Sequence, residues 1–183
     1  MKLPRPALIA AAVAPVAVFV VLAIALALGL RNDPAALPSV LIGKPAPAFA
    51  LGPVREGDVG FSRADIEGRV VLINVFGSWC SACRLEHPML MELAASGVPI
   101  HGIDWKDAPA DGAAWLKKYG DPYVRVGNDE IGRLGLDLGV SGAPETFVID
   151  KTGRIRHKQV GPITPEIWRD EIAPLMARLE VGG

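Results

Sequence analysis

The pattern of apolar and charged residues divides the chain into an N-terminal apolar stretch and a longer region of short, mixed runs. No side chain between Arg5 and Arg31 is charged, and residues 7–30 are almost all Ala, Val, Leu, Ile or Phe. A helix of about 20 such residues, at about 1.5 Å per residue, covers the hydrocarbon layer of a membrane, which is about 30 Å thick. We therefore predict a transmembrane anchor at residues 7–30, preceded by a short tail at residues 1–6.

A cleaved signal peptide is the alternative for this stretch, because residues 25–27 (Ala-Leu-Ala) have the small-x-small form that signal peptidases accept. The apolar region of a signal usually has only about 7 to 15 residues, which favours an uncleaved anchor. The positive charge before the apolar stretch, from Lys2 and Arg5, is larger than the charge after it, where Asp33 offsets Arg31. The tail should therefore stay in the cytoplasm and the remainder of the chain should lie outside it.

Beyond the anchor, prolines mark a tether that precedes a region with the periodicity of folded structure. Residues 31–42 contain Pro34 and Pro38 and show no helical or strand period, so we assign them to a linker. From residue 43 onward, β-branched runs alternate with segments whose apolar residues recur every three or four positions. The predicted strands cover residues 69–76, 98–103, 123–126, 145–150 and 154–160, and the predicted helices cover residues 81–95, 111–119, 130–138 and 165–179.

The order of these elements predicts the fold class. Alternating strands and helices followed by a hairpin and a closing helix are typical of an α/β domain with a central mixed sheet flanked by helices. The chain has 183 residues, of which 50% are hydrophobic, enough for one core, so we expect residues 43–183 to form a single domain. Its 19 basic and 20 acidic side chains are spread along the chain, and we expect no nucleic-acid partner.

The candidate chemistry lies in the sequence Cys80-Ser81-Ala82-Cys83, which contains both cysteines of the chain. The pair falls where a predicted strand gives way to a predicted helix. A thiolate at a helix N-terminus accepts free backbone N–H donors and faces the positive end of the helix dipole, which lowers its pKa. We therefore predict that Cys80 is the exposed nucleophile of a thiol–disulfide oxidoreductase. Cys83, one turn inside the helix, would be shielded and would resolve the mixed disulfide.

Other roles for the two cysteines have less support. A structural disulfide that closes so short a loop would add little stability. A zinc site needs four ligands, and only His87 lies nearby in the sequence; it is more often a solvated or capping residue. A covalent haem motif would need a histidine where Arg84 stands. We expect neither a metal nor an organic cofactor.

A second motif, Gly-Ala-Pro-Glu-Thr at residues 142–146, directly precedes a predicted strand. Residues 74–88 (NVFGSWCSACRLEHP), 136–150 (LDLGVSGAPETFVID) and 168–175 resemble the CcmG/DsbE family. Members of this family are periplasmic thioredoxin-like proteins of cytochrome c maturation. The similarity extends over about residues 43–179, and it implies a thioredoxin-like fold for the exported domain.

The resemblance also implies roles for particular residues. In the family, the proline equivalent to Pro144 is cis and packs against the cysteine pair, and the backbone before it, here Ala143, pairs with an extended peptide substrate. Trp79 completes the Trp-Cys-x-x-Cys sequence. Glu86 and Glu145 are the candidate acids around the cysteines, where they could assist proton transfer. The alternatives are a solvated first-turn residue for Glu86 and a surface charge on an edge strand for Glu145.

Four positions depart from the patterns of thioredoxins or of this family. Asn74 stands where thioredoxins carry a buried aspartate, and a neutral amide cannot be that base. Ser81 and Ala82 lie between the cysteines, where many relatives have a proline, so the reducing direction of the reaction rests on the resemblance. Pro162 stands where many relatives have an acidic residue, so a cluster of three acids is incomplete here.

The function implied is that of a reductant in the bacterial periplasm that keeps the haem-binding cysteines of apocytochrome c reduced, directly or through a partner thiol protein. Because this compartment is oxidising, the electrons must come from outside it, which implies a membrane thiol carrier of the DsbD/CcdA type. The chain would be a single-pass protein of the inner membrane with its catalytic domain in the periplasm. Two alternatives stay open: a reductant for another client such as a copper-site assembly protein, and a non-catalytic module that binds apocytochrome.

Overall fold

The computed structural model describes residues 5–29 and 39–182, which belong to two separate units divided after residue 37. Residues 1–4 of the predicted tail and residues 31–38 of the predicted linker lie outside the described residues. The strands are β1 (Ala50–Pro53), β2 (Phe61–Ser62), β3 (Val71–Phe76), β4 (Ile100–Trp105), β5 (Arg125–Asp129), β6 (Glu145–Ile149) and β7 (Ile155–Val160). The helices are α1 (Arg5–Gly29), α2 (Ser81–Ala95), α3 (Pro109–Tyr119), α4 (Arg133–Asp137), α5 (Pro165–Ile167) and α6 (Ala173–Val181), with a short 3-10 helix at Arg63–Ile66 and a π-helical turn at Trp168–Ile172.

The N-terminal unit contains helix α1, which includes Pro15. Within this helix the side chains of residues 14–27 are described, and all of them are exposed. Among the residues that the structure describes, no helix has the length and apolar character needed to cross a lipid bilayer. The anchor at residues 7–30 therefore stays a prediction from the sequence.

The C-terminal unit is built on one mixed sheet with the strand order β2-β1-β5-β4-β3-β6-β7. Strands β3, β4 and β5 are parallel, and the remaining strands pair antiparallel on both sides of them. Phe76, the last residue of β3, lies opposite Asp104 near the end of β4. The chain leaves β3 at this edge and reaches Cys80 four residues later. The predicted α/β class with a central mixed sheet is confirmed.

Strand β3 is buried on both faces and joins two hydrophobic cores. Alternate side chains point to opposite sides of a strand, and the six residues of β3 are all buried. On one face, Leu72 and Phe76 belong to a core that also contains the cysteine pair and side chains of α2, α3 and α6. On the other face, Ile73 and Val75 belong to a core with side chains of α4 and β6. Asn74 lies on the first of these faces and is therefore a polar residue inside the cysteine-containing core.

Helices α2 and α5 begin where the sequence predicts. Helix α2 has the predicted bounds, with Cys80 as its N-cap. The hydroxyl of Thr164 accepts a hydrogen bond from the Ile167 N–H at 3.3 Å, which is the predicted cap of the closing helix. The π-helical turn at Trp168–Ile172 interrupts this closing helix, and the sequence analysis did not predict it.

Several element boundaries differ from the prediction for local reasons. Strand β4 begins two residues late because the Val98 N–H donates to Leu93 O and so belongs to the end of α2. Strand β5 begins at residue 125 because the Tyr123 N–H is bonded to Asp121 Oδ1 in a turn. Strands β1 and β2 were not predicted. Both are short, and Gly52 and Pro53 in β1 hide any strand pattern.

Candidate active site

The two cysteines form a disulfide at the start of helix α2. Cys80 Sγ accepts a hydrogen bond from the Cys83 backbone N–H at 3.0 Å, and the Cys80 N–H donates to Gly77 O at 3.0 Å. The first sulfur thus occupies the N-cap position, where backbone donors of the first helical turn are free. This placement at the N-cap of α2 is the one predicted from the sequence.

The exposure of the two cysteines differs from the expectation of one exposed and one shielded sulfur. In the disulfide-bonded form Cys80 is 4% exposed and Cys83 is 2% exposed, so both are buried. A cavity of about 160 Å³ nevertheless opens beside the pair, and Cys80 lines it while Cys83 does not. A molecule from solvent can therefore reach the disulfide on the side of Cys80. The two cysteines differ because Cys80 borders this cavity and Cys83 does not.

The loop at residues 141–145, called here the Pro144 loop, lies directly against the cysteine pair. Its Ala143–Pro144 peptide bond is cis, as the resemblance implies. The carbonyl oxygen of Ala143 lies 3.4 Å from Cys80 Sγ. Pro144 is buried, and its carbonyl accepts a hydrogen bond from Gly161 N–H at 3.0 Å. The structure therefore places the backbone segment that the resemblance assigns to substrate binding beside the first cysteine.

Glu86 is a buried carboxyl on helix α2, three residues after Cys83. It is 2% exposed, so its interpretation as a solvated first-turn residue is wrong. Its Oε1 accepts from the Ile163 N–H at 2.7 Å and its Oε2 accepts from Asn74 Nδ2 at 3.2 Å. Burial raises the pKa of Glu86 from 4.5 to about 7, although both hydrogen bonds act in the opposite direction.

Asn74 connects this carboxyl to the sheet. Its Nδ2 also donates to Thr146 Oγ1 at 3.0 Å, and its Oδ1 accepts from the Tyr123 hydroxyl at 2.8 Å. The amide is thus fully used in holding Glu86 and the neighbouring strand β6. Residues three apart on a helix lie on the same side, and both Cys83 and Glu86 are buried there. The carboxyl that can exchange a proton near neutral pH is therefore one turn from the second cysteine.

Glu145 ends the Pro144 loop and is fully buried, so its interpretation as a surface charge is wrong. Its carboxylate forms a salt bridge with Lys158 Nζ at 2.9 Å. It also accepts hydrogen bonds from the backbone N–H of Ser141 at 2.9 Å and from the Ser141 hydroxyl at 2.5 Å. Both ends of the loop are thereby tied to one carboxylate, which positions the backbone that contacts Cys80.

Comparison with known proteins agrees with this geometry. A family model described as Redoxin matches residues 41–173. The thiol:disulfide interchange protein DsbE of Pseudomonas aeruginosa is 48% identical over 165 residues, which are 90% of this chain and 92% of that protein. The chain belongs to the DsbE family of thiol:disulfide interchange proteins. The thiol:disulfide interchange protein HelX of Rhodobacter capsulatus is 44% identical over 148 residues, or 80% of this chain and 84% of that protein.

Solved structures place the chain in the same group. A crystal structure from Chlorobium tepidum, described as that of a thiol:disulfide interchange protein DsbE, superimposes with a TM-score of 0.60 at 28% identity. The superposition covers 74% of this chain and 95% of that one. The chain is therefore a protein thiol–disulfide oxidoreductase of thioredoxin-like fold, with Cys80 and Cys83 in the CxxC spacing.

The sequence analysis missed Asp107, which holds the loop before Cys80 in this DsbE-family protein, and the buried Asp104 near it. Asp107 accepts hydrogen bonds from the Ser78 N–H at 2.5 Å and from the Ser78 hydroxyl at 3.0 Å. Asn128 Nδ2 donates to Asp104 Oδ2 at 3.2 Å and to the Asp107 carbonyl at 2.9 Å. Burial, followed by the charge of Asp107, raises the pKa of Asp104. The available signal was the position of Asp104 near the end of a buried strand and of Asp107 just after it.

Trp79 lies at the surface beside the disulfide. Its side chain is 53% exposed, and its indole Nε1 donates to the Trp105 carbonyl at 3.3 Å. Gly77 makes room for this ring, because a Cβ at that position would lie 2.6 Å from Trp79 Nε1. An exposed aromatic ring next to a reactive sulfur offers apolar contact area to a peptide partner.

His87 is the one histidine near the cysteines in sequence, and it is buried rather than solvated. Its Nε2 lies 3.1 Å from Gly120 O, and its ring packs edge-on against Trp115 with centroids 4.5 Å apart. Burial lowers the pKa of His87. The side chain therefore links α2 to the end of α3.

Proposed function

We propose that this chain is a membrane-anchored reductant of the bacterial periplasm. Its substrate would be the disulfide between the haem-binding cysteines of apocytochrome c, or that of a partner thiol protein in the same maturation process. The observation that carries the reducing direction is the buried Glu86 carboxyl one turn after Cys83. Negative charge beside a thiolate disfavours the thiolate, and strong oxidants of this class depend on a stabilised reduced form. A carboxylate beside the cysteines therefore destabilises the reduced form of the Cys80/Cys83 couple, which makes the couple a better reductant.

The reaction follows from the places of the two sulfurs. In the reduced chain the Cys80 thiolate attacks one sulfur of the client disulfide, which breaks the client S–S bond and forms a mixed disulfide. The departing client thiolate takes up a proton. Cys83 then attacks Cys80 Sγ, which releases the second client sulfur as a thiol and leaves the chain with a Cys80–Cys83 disulfide. Two electrons pass from the chain to the client.

Glu86 supplies the proton transfer that the second step needs. Cys83 must lose a proton before it can attack, and a carboxyl whose pKa is about 7 can accept one at neutral pH. Asn74 and the Ile163 N–H hold this carboxyl by neutral hydrogen bonds, so its charge is free to change. The same group can return the proton when a donor reduces the pair again.

The compartment and the electron source belong to the same proposal. The apolar run at residues 7–30 supports an uncleaved inner-membrane anchor, and Lys2 and Arg5 support a cytoplasmic tail. A reductant in an oxidising compartment needs a supply of electrons, and a membrane dithiol carrier of the DsbD/CcdA type would provide it. A mature N-terminus near residue 28, or release of the protein from membranes by alkaline extraction, would contradict the anchor.

The decisive measurement is the reduction potential of the Cys80/Cys83 couple in the full chain, equilibrated with glutathione or thioredoxin buffers. A value near about −270 mV supports a reductant, whereas a value near about −120 mV refutes it. The client is tested with a disulfide peptide that carries the two haem-binding cysteines of a c-type cytochrome. Faster reduction of this peptide than of one with the same composition in shuffled order supports the proposed client.

A substitution separates the reductant from a non-catalytic binding module. Cys80→Ala should abolish turnover of the disulfide peptide, because no mixed disulfide can form at the N-cap. A binding module would act equally well with this variant. Complementation of cytochrome c assembly in cells by the Cys80→Ala chain would therefore overturn the catalytic proposal.

A further inference from the structure

The cavity beside Cys80 has an aromatic lining and a cation at its side. Its volume is about 160 Å³, and its lining includes the buried Trp115, the exposed Trp79, the half-buried Tyr119 and the exposed Arg84. Aromatic rings and a guanidinium enclose this space next to the reactive sulfur. The guanidinium of Arg84 attracts a carboxylate, and the aromatic rings offer apolar contact to a short methylene stem.

Two cations meet at the ring of Tyr119. Lys118 Nζ lies 4.9 Å from the ring centroid. The two cationic side chains of Lys118 and Arg84 near its hydroxyl lower the pKa of this tyrosine. Within residues 39–182, no carboxylate forms an ion pair with Arg84 or Lys118. Asp121, the acid that follows Tyr119 in the chain, is paired with Arg55 at 3.3 Å.

Cys80 belongs both to this cavity and to the contact with the Pro144 loop. Its Sγ lies 3.4 Å from Ala143 O, and the same residue lines the cavity. A client peptide whose backbone lies along the Pro144 loop therefore carries side chains near its own cysteine to the mouth of the cavity. The positive charge there lacks a partner from the described part of the domain.

We propose that this cavity is a specificity subsite for an acidic side chain of the client, located within a few residues of the client cysteine that Cys80 attacks. Arg84, which lines the cavity, and Lys118, which lies over the ring of the lining residue Tyr119, bind the carboxylate. Trp79 and Trp115 contact its methylene stem. The inference rests on the proposed function, since it assigns a selected feature to the peptide that this site reduces. Charge complementarity of this kind contributes specificity and a faster encounter.

The test uses the full chain with Cys83→Ser, which stops the reaction at the mixed disulfide. Two disulfide peptides, identical except for Glu or Gln next to the attacked cysteine, compete for Cys80, and mass spectrometry gives the ratio of trapped products. We expect a preference of about fivefold for the Glu peptide, the range of one partly exposed ion pair. The preference should fall as salt is added.

Variants in this background assign the preference to the cavity. Arg84→Gln combined with Lys118→Gln should reduce the ratio to near one. Lys117→Gln, which removes the adjacent cation of helix α3 that neither lines the cavity nor lies over the Tyr119 ring, should leave the ratio unchanged. Equal trapping of the two peptides, a preference that survives the double substitution, or stronger trapping of a peptide with Phe at that position would each overturn the subsite. Because trapping needs no turnover, an oxidising potential would contradict the proposed function without affecting this result.

Discussion

The buried carboxyl of Glu86 predicts a specific dependence of folding stability on pH. In the folded chain its pKa is about 7, against an ordinary value of 4.5 that applies to the unfolded chain. A raised folded-state pKa means that the folded state binds the proton more tightly than the unfolded state does. The contribution of Glu86 protonation to the free energy of unfolding is therefore complete below about pH 4.5 and is lost as pH rises through about 7.

The magnitude follows from the difference between the two pKa values. From 4.5 to about 7 is a shift of about 2.5 units, and each unit corresponds to about 1.36 kcal/mol. Between about pH 4 and about pH 8, Glu86 should therefore lower the free energy of unfolding by on the order of 3 kcal/mol. This is a large part of the stability of an ordinary domain.

Glu86→Gln provides the comparison, because glutamine has the shape of the protonated acid and does not titrate. Its Oε1 can still accept from the Ile163 N–H. Its amide would then face Asn74, whose own amide must rotate so that its oxygen accepts. The hydroxyls of Thr146 and Tyr123 can follow this rotation, because each can either donate or accept a hydrogen bond. The variant should therefore fold with the network complete.

The assay is denaturant unfolding of the oxidised full chain in non-ionic detergent, followed by tryptophan fluorescence at several pH values. The difference in unfolding free energy between the wild type and Glu86→Gln should change by on the order of 3 kcal/mol between about pH 4 and about pH 8. The wild type should become less stable relative to the variant as pH rises. Other titrating groups, such as Asp104, are common to both proteins and cancel. Parallel pH profiles for the two proteins would refute the reasoning.

Three further predictions test other parts of the site. Iodoacetamide should modify Cys80 first in the reduced chain near neutral pH, as judged by peptide mass spectrometry. Labelling of Cys83 before Cys80 would contradict the assignment of Cys80 as the nucleophile. Lys158→Met should destabilise the domain by about 3 to 5 kcal/mol in denaturant unfolding, because Glu145 would be left buried without its cation, and adding Glu145→Gln should recover most of the loss. Gly112→Ala should cost about 1 to 3 kcal/mol in the same assay, since the new methyl would overlap Asp104 Oδ2, and an unchanged midpoint would disprove that packing.

The sequence predicted those parts of the fold whose signals are local. Helix α2 has its predicted bounds because its apolar residues recur every three or four positions along its fifteen residues. The positions of β4 and β5 were shifted by hydrogen bonds that Val98 and Tyr123 make in turns, which no residue pattern reveals. Strands β1 and β2 exist because they pair with each other and β1 pairs with β5, a long-range event without a local signature.

The candidate site shows the same division between local and long-range information. The cysteine pair and the Pro144 loop were identified from motifs, and the structure brings them into contact. The burial of Glu86 and Glu145 could not be predicted, because the groups that accommodate them come from distant segments. Ile163 lies 77 residues after Glu86, and Lys158 reaches Glu145 from the neighbouring strand β7.

These environments also separate the two acids by role. Glu145 has a lysine at 2.9 Å and two donors from Ser141, so its charge is balanced and it fixes the loop that contacts Cys80. Within the described part of the chain, the donors to Glu86 are neutral, and burial raises its pKa to about 7. A carboxyl can take part in proton transfer only if both of its protonation states are accessible at working pH. Glu86 is therefore suited to exchange a proton with Cys83, whereas the contacts of Glu145 hold the Pro144 loop beside Cys80.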